Sequence, residues 1–199
     1  MRTITPLKLS KYLSSNLEDC KHVLKQCHSI GKSLNTPTKR WLKAELIDKS
    51  YALAFNQLDY VDEVGYDWTY RNRRVSGKSM AKMFGKRNGW TNQVLISNSF
   101  GASLEYVPKM FDDIILTQSA APYSIAVAKF EDVKKHMWCC EDGIKMQAPF
   151  EALDFVVHPD EGIDFQGMPV IDYSQEIDNA VDEMLLKVFC ENTQEPCLT

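Results

Sequence analysis

The sequence predicts an α/β fold in which helices flank a central mixed β-sheet. Two patterns carry this prediction: apolar residues recur at helical spacing near both ends of the chain, and the middle holds a hairpin and short runs of β-branched and aromatic residues. No apolar run approaches the roughly 20 residues that a membrane-spanning helix needs. We expect one domain over residues 1–199, because no repeat, low-complexity tract or clear linker interrupts the chain.

Helices are predicted at the start of the chain. Residues 8–30 carry apolar side chains at helical spacing, and Gly31 is a stop signal. Thr36 as N-cap and Pro37 in the first turn mark the start of a second helix over residues 38–55. The N-terminal helical part is therefore assigned to residues 1–35.

Strands and short helices are predicted over the remaining chain, with a core over residues 36–150 and a C-terminal irregular segment and helix over residues 151–199. In chain order the predicted elements are a hairpin of strands 66–70 and 75–79, a turn-rich connector at 85–89, a strand at 93–97, a helix at 102–110, strands at 113–117 and 123–128, a helix at 131–137, an edge strand at 144–147, irregular chain at 151–173 and a helix at 174–190.

The predicted hairpin holds the most informative side chains. With residues 71–74 as a four-residue loop, Tyr70 pairs with Val75 and Asp67 lies opposite Lys78, with Cβ atoms about 4.5–5.5 Å apart. A carboxylate beside an ammonium group is suited to phosphodiester cleavage, where the carboxylate holds a divalent metal ion and the lysine positions or activates water. The alternative is a surface ion pair on a solvated hairpin.

The formal net charge of −4 hides an uneven distribution. Residues 1–110 contain 18 Lys and Arg against 9 Asp and Glu, a balance of +9, whereas residues 111–199 contain 5 against 18, a balance of −13. A basic half on an acidic protein favours a surface that binds a polyanion.

The order of these features resembles the PD-(D/E)xK nuclease superfamily, and type II restriction endonucleases in particular. The resemblance covers roughly residues 38–137, and the motif lies in Tyr66-Asp67-Trp68 and Val75-Ser76-Gly77-Lys78. It implies a restriction-endonuclease-like core that binds Mg²⁺ through Asp67, completes the site with a second carboxylate, and uses Lys78 on the nucleophilic water.

The chain departs from the family pattern at Ser76, where the pattern has Asp or Glu two residues before the lysine. A hydroxyl is a weaker, neutral ligand for a hard cation than a carboxylate. Glu45 is the candidate substitute, since the family's preceding helix often supplies a glutamate; Asp59, Asp62 and Glu63 are nearer in sequence but fall in a predicted loop. The resemblance thus implies the catalytic residues Asp67, Lys78, Glu45 and Ser76, with Asp67 and Glu45 as the metal ligands.

Basic residues in and after the hairpin are candidates for contacts to DNA phosphates or base edges. They are Arg71, Asn72, Arg73, Arg74, Lys82, Lys86 and Arg87. Double-stranded DNA is the expected partner, and two active sites for double-strand cleavage imply a homodimer. The six cysteines show no regular framework, so we expect reduced thiols and a cytoplasmic location.

Several functions are compatible with the sequence. A phage, homing or repair nuclease would use the same chemistry as a restriction enzyme. A degenerate nuclease fold would bind DNA without cutting it, as Ser76 suggests. A non-enzymatic protein would use its acidic half as an interaction surface.

Overall fold

Helices open the chain and strands follow, which confirms the predicted α/β fold. The computed structural model describes residues 8–34, 40–63, 65–97, 110–168, 170, 172, 173, 175 and 179, with the backbone alone for residues 40, 41 and 62. The α-helices of this part are α1 (Leu9–Ser14), α2 (Leu17–Ser33), α3 (Arg40–Ala54) and α4 (Phe130–Val133). The strands are β1 (Asp59–Glu63), β2 (Tyr66–Tyr70), β3 (Arg73–Met80), β4 (Val94–Ser97), β5 (Asp113–Gln118), β6 (Ser124–Lys129), β7 (Met137–Cys140), β8 (Gly143–Met146) and β9 (Asp154–Val157).

Six of these strands form a mixed sheet in the order β1-β2-β3-β5-β6-β9. The β3–β5 pair is parallel and the other neighbours are antiparallel. A second, antiparallel sheet has the order β4-β8-β7. The main sheet thus takes its last strand from beyond residue 150.

The main sheet is buried on both faces. On one face, Trp68, Val75 and Ile115 pack with the apolar sides of α1, α2 and α3. On the other face, Ile114 and Leu116 pack with α4 and the second sheet. Successive residues of β5 therefore enter different cores, as the alternation of side chains along a strand requires.

The predicted helix over residues 8–30 is wrong in its continuity, because it is divided between α1 and α2. Ser15 Oγ donates a hydrogen bond to the Lys11 carbonyl at 2.8 Å, and Asn16 Nδ2 donates to the Tyr12 carbonyl at 2.8 Å. These side chains compete with backbone donors for helix carbonyls, which explains the interruption.

Three strands were not predicted. Asp59, Asp62 and Glu63 lie in β1, not in a loop; an edge strand tolerates such charged residues, which also discourage pairing with another chain. The segment predicted to be irregular from residue 151 contains β9, and the predicted helix at 131–137 stops early, because Met137 begins β7.

The remaining elements agree with prediction to different degrees. The hairpin strands, α3, β4, β5 and β6 are confirmed within about two residues. The strand predicted at the sheet edge near residue 144 is instead β8, the central strand of the second sheet. The predicted helices at 102–110 and 174–190 lie almost entirely outside the described residues, and the predicted capping residues Thr36 and Pro37 lie wholly outside them.

Candidate active site

The turn between β2 and β3 decides which side chains face each other. It has two residues, Arg71 and Asn72, with positive φ angles of 48° and 63°, as in a type I′ turn whose twist matches that of the flanking strands. The predicted four-residue loop is therefore wrong. Cα partners are Tyr70 with Arg73, Thr69 with Arg74 and Trp68 with Val75. Continued by one pair, this register sets Asp67 opposite Ser76, and Lys78 lies two residues further along the same face.

Regular pairing of β2 with β3 stops after Trp68 and Val75. Hydrogen-bonded pairs alternate along an antiparallel ladder, so the next such pair would join Tyr66 to Gly77. At this position the Gly77 N–H instead donates to the Asp67 carboxylate, with 2.5 Å between Gly77 N and Oδ2. The side chain of Asp67 is thereby fixed against the strand that carries Lys78.

Ser76 also contacts this carboxylate. Its Oγ lies 3.4 Å from Asp67 Oδ2, and the residue is only 2% exposed. The hydroxyl is therefore a buried partner of the carboxylate, which is a role in orientation that a neutral side chain can fill.

Lys78 occupies the open end of the hairpin. It is half-buried and its Cα partner across the parallel pair is Leu116, a fully buried residue. None of the ion pairs within the described chain includes Lys78. The ammonium group thus stands on the same face as Asp67 and Ser76.

The carboxylate of α3 that lies beside β3 is that of Asp48, whereas the sequence predicted Glu45. Glu45 forms an ion pair with Lys49 one turn along the helix, at 2.8 Å. Asp48, also on α3, lies beside Gly77: a Cβ on this glycine would stand 2.7 Å from Asp48 Oδ1 and 2.6 Å from Trp68 Cη2.

The approach of α3 depends on Gly77 having no side chain. Trp68 Nε1 donates to the backbone carbonyl of Asp48 at 3.0 Å, which ties the helix to β2 at the same point. Sequence reasoning missed Asp48; its position three residues after Glu45, hence on the same side of the helix, was the available signal.

The donor set at Asp67 determines what metal chemistry it suits. Within the described residues, no group of three or more His, Cys, Asp and Glu side chains is arranged to hold a metal ion. Mg²⁺ usually keeps several water ligands and binds one or two carboxylates together with substrate phosphates. Asp67, with Ser76 beside it, fits that water-rich mode and not a preformed all-protein site.

The predicted basic residues fall into two groups. The turn end of the hairpin carries Arg71, Asn72, Arg73 and Arg74, whereas Lys82, Lys86 and Arg87 follow the open end, where β3 finishes at Met80. Lys78 lies five residues from Arg73, or roughly 17 Å by strand rise. The hairpin arginines therefore do not surround Lys78.

Two of the turn-end arginines form ion pairs with carboxylates. Arg73 binds Asp113 through Nε–Oδ2 at 2.5 Å and Nη2–Oδ1 at 2.9 Å, which raises the pKa of the guanidinium. Arg74 Nε lies 3.6 Å from Asp112 Oδ2, and the Arg74 N–H donates to the same oxygen at 2.9 Å. Beyond the open end, Lys82 and Lys86 are exposed, and the Arg87 guanidinium lies 3.9 Å from the centre of the Trp90 ring.

Comparison with known proteins gives no family for this chain. No protein-family model, no curated protein and no solved structure matches it. None of the helices in the described part has the length and apolar character needed to cross a bilayer.

Proposed function

We propose that this chain is a Mg²⁺-dependent endonuclease that hydrolyses DNA phosphodiester bonds. The proposal is carried by one observation: Asp67 and Lys78 share a face of neighbouring strands where β2 and β3 cease to pair. The parallel β5 beside β3 agrees with the order of elements that suggested a nuclease core.

Each site residue has a separate role in the proposed reaction. Mg²⁺, when bound through Asp67, would stabilise charge on the phosphate and lower the pKa of a bound water. Lys78 orients the attacking water and helps remove its proton. Ser76 holds the Asp67 carboxylate in place, and water and substrate phosphate would complete the ligand set.

DNA would lie along the open end of the hairpin. Lys82, Lys86 and Arg87 are our candidates for phosphate contacts, since they follow Lys78 along the chain and neither lysine forms an ion pair with the described residues. Sequence-specific cleavage of both strands would use a homodimer with one site per subunit. The four described cysteines are free thiols, in keeping with a cytoplasmic enzyme.

Cleavage of a mixed-sequence plasmid tests the proposal. We expect discrete fragments in Mg²⁺ or Mn²⁺, none in EDTA, and none from Asp67→Ala or Lys78→Ala. Asp59→Ala and Lys25→Ala are matched controls, because both side chains are exposed and lie in β1 and α2. Fragments of equal yield from all four variants would exclude the proposed site.

The second candidate is a nuclease-fold protein that binds DNA without cutting it. The observation in its favour is that Ser76 replaces a carboxylate and contacts Asp67, which already accepts the Gly77 N–H. Salt-sensitive DNA binding with no cleavage in either metal would select this candidate. Absence of both binding and cleavage would favour an interaction protein that works through its acidic half.

A further inference from the structure

A cavity of about 320 Å³ lies at the turn end of the hairpin, away from Asp67 and Lys78. Its walls include four cationic side chains and one carboxylate: Lys8, Arg71, Arg73, Lys129 and Asp113. The formal charge of these groups is +3, on a chain whose net charge is −4. Positive charge is therefore concentrated in a concave site.

The Arg73–Asp113 ion pair lies in the lining of this cavity. Asp113 has a side chain only 6% exposed and binds Arg73 through both carboxylate oxygens, so the guanidinium is held in one orientation. Arg73 keeps further N–H donors, because these two contacts engage only Nε and Nη2. Tyr70, which is 1% exposed, forms a wall, and Arg71 lies over its ring at 5.4 Å.

Neither of the two lysines in the lining forms an ion pair with the described residues. Lys129 is the Cα partner of Asp113 across the β5–β6 pair, which places it on the same face as the Arg73–Asp113 pair. The Lys8 carbonyl accepts the Tyr12 N–H at 2.9 Å, which fixes its backbone at the start of α1. Both side chains are exposed.

We propose that this cavity binds a terminal phosphate monoester, such as the phosphate of a nucleoside monophosphate. A monoester carries a charge of about −1.5 to −2 at neutral pH, which matches the formal charge of +3 on the lining better than a carboxylate or a mid-chain phosphodiester with one charge. Arginine and lysine donors suit phosphate oxygens. The volume lies at the lower end of the roughly 300–1,000 Å³ typical of small-ligand sites.

Titration with deoxyadenosine monophosphate, without DNA or divalent metal, tests the proposal independently of nuclease activity. We expect saturable calorimetric binding, chemical-shift changes at Arg73 Nε–H and the Lys129 amide, and no binding of deoxyadenosine. The double variant Lys8→Gln/Lys129→Gln should weaken binding at least about tenfold through lost charge-assisted contacts. Lys25→Gln/Lys32→Gln in α2 removes the same charge elsewhere and should change affinity less than about twofold by long-range electrostatics.

Further probes identify the source of the phosphate. Inorganic phosphate, and oligonucleotides with a 5′-phosphate or a 5′-hydroxyl, are titrated into the same proteins. Tighter binding of the 5′-phosphorylated strand, lost in Lys8→Gln/Lys129→Gln, would assign the site to a DNA end; tight mononucleotide binding alone would assign it to a free nucleotide. Three outcomes would overturn the proposal. The first is equal weakening of binding in both double variants, and the second is no saturable binding of any phosphate compound. The third is equal binding of both oligonucleotides without mononucleotide binding. Failure of plasmid cleavage leaves these measurements unaffected.

Discussion

The two ends of the β2–β3 hairpin belong to the same strands but differ in the contacts that their charged side chains make. At the turn end β2 and β3 pair regularly, and Arg73 and Arg74 form ion pairs with Asp113 and Asp112, respectively. At the open end the ladder stops, Asp67 accepts a backbone N–H, and Lys78 lies outside every ion pair of the described chain.

This contrast separates the charge of Arg73 and Arg74, which fixes the fold, from the charge of Lys78, which is available to a ligand. A buried carboxylate that binds an arginine satisfies both groups, and removing one of them mainly affects folding. A lysine on the same face as a backbone-anchored carboxylate adds nothing comparable to the fold. Substitutions at the two ends should therefore change different measurements.

Asp67→Asn should have the largest effect, and on activity alone. The amide oxygen can still accept the Gly77 N–H, so we expect the unfolding free energy to change by less than about 1 kcal/mol. Loss of the negative charge should lower the cleavage rate at least about a hundredfold, because a metal ligand contributes several kcal/mol to the transition state.

Initial rates of plasmid cleavage and urea unfolding measure the two effects separately. Asp59→Asn, on the exposed edge strand, is the matched control. A loss of stability that accounts for the lost activity would assign Asp67 a structural role only.

Asp113→Asn should have the opposite profile. We expect a loss of about 2 kcal/mol in unfolding free energy, below the 3–5 kcal/mol typical of breaking a fully buried pair, because the Arg73 side chain is 47% exposed. Cleavage per folded molecule should be retained. Asp142→Asn breaks an exposed ion pair with Lys145 and should leave the urea midpoint unchanged. Equal midpoints for the two variants would remove the distinction between the ends.

The parts of the fold that the sequence predicted are those with unambiguous local patterns. β5 and β6 are apolar runs flanked by polar or turn residues, and both were predicted within about one residue. β1 was missed because Asp59, Asp62 and Glu63 have low strand propensity. Its strand conformation comes from pairing with β2, which is a tertiary contact that local sequence does not reveal.

The hairpin that carries the candidate site was predicted, but its predicted register was wrong. Arg71 and Asn72 do not form one of the usual glycine-containing type I′ sequences, so a two-residue turn was not recognised. The resulting shift moved Lys78 from opposite Asp67 to a diagonal position on the same face. Asp48 was missed because its approach depends on the missing side chain of Gly77, which becomes visible only when α3 is packed on β3.

Gly77→Ala tests whether close packing of α3 supports the open end. The new Cβ would stand 2.6 Å from the ring of Trp68, which is fully buried. We expect a loss of about 1–3 kcal/mol in unfolding free energy from overpacking, with reduced cleavage because β3 carries Lys78.

The control for this substitution is Gly31→Ala in α2. The nearest atom to its added Cβ would be Lys43 Nζ at 3.6 Å, which is ordinary contact. Alanine is the better helix former by up to about 1 kcal/mol, so the control should be neutral or stabilising. Equal urea midpoints for Gly77→Ala and the wild type would show that the open end tolerates displacement of α3.

The smallest effect, and the most direct comparison of the two ends, concerns the salt dependence of DNA binding. Each lost phosphate contact reduces the slope of log K against log salt by about 0.9. Lys82→Gln/Lys86→Gln should therefore lower the slope for a duplex with 5′-hydroxyl ends by nearly two, measured by fluorescence anisotropy. Arg71→Gln/Arg74→Gln removes the same charge at the turn end, where Arg74 contacts Asp112 and Arg71 donates to Gln57 at 3.3 Å, and should leave the slope unchanged. If both double variants lower the slope equally, DNA contacts the whole hairpin, and the division of charge between its ends does not extend to nucleic-acid binding.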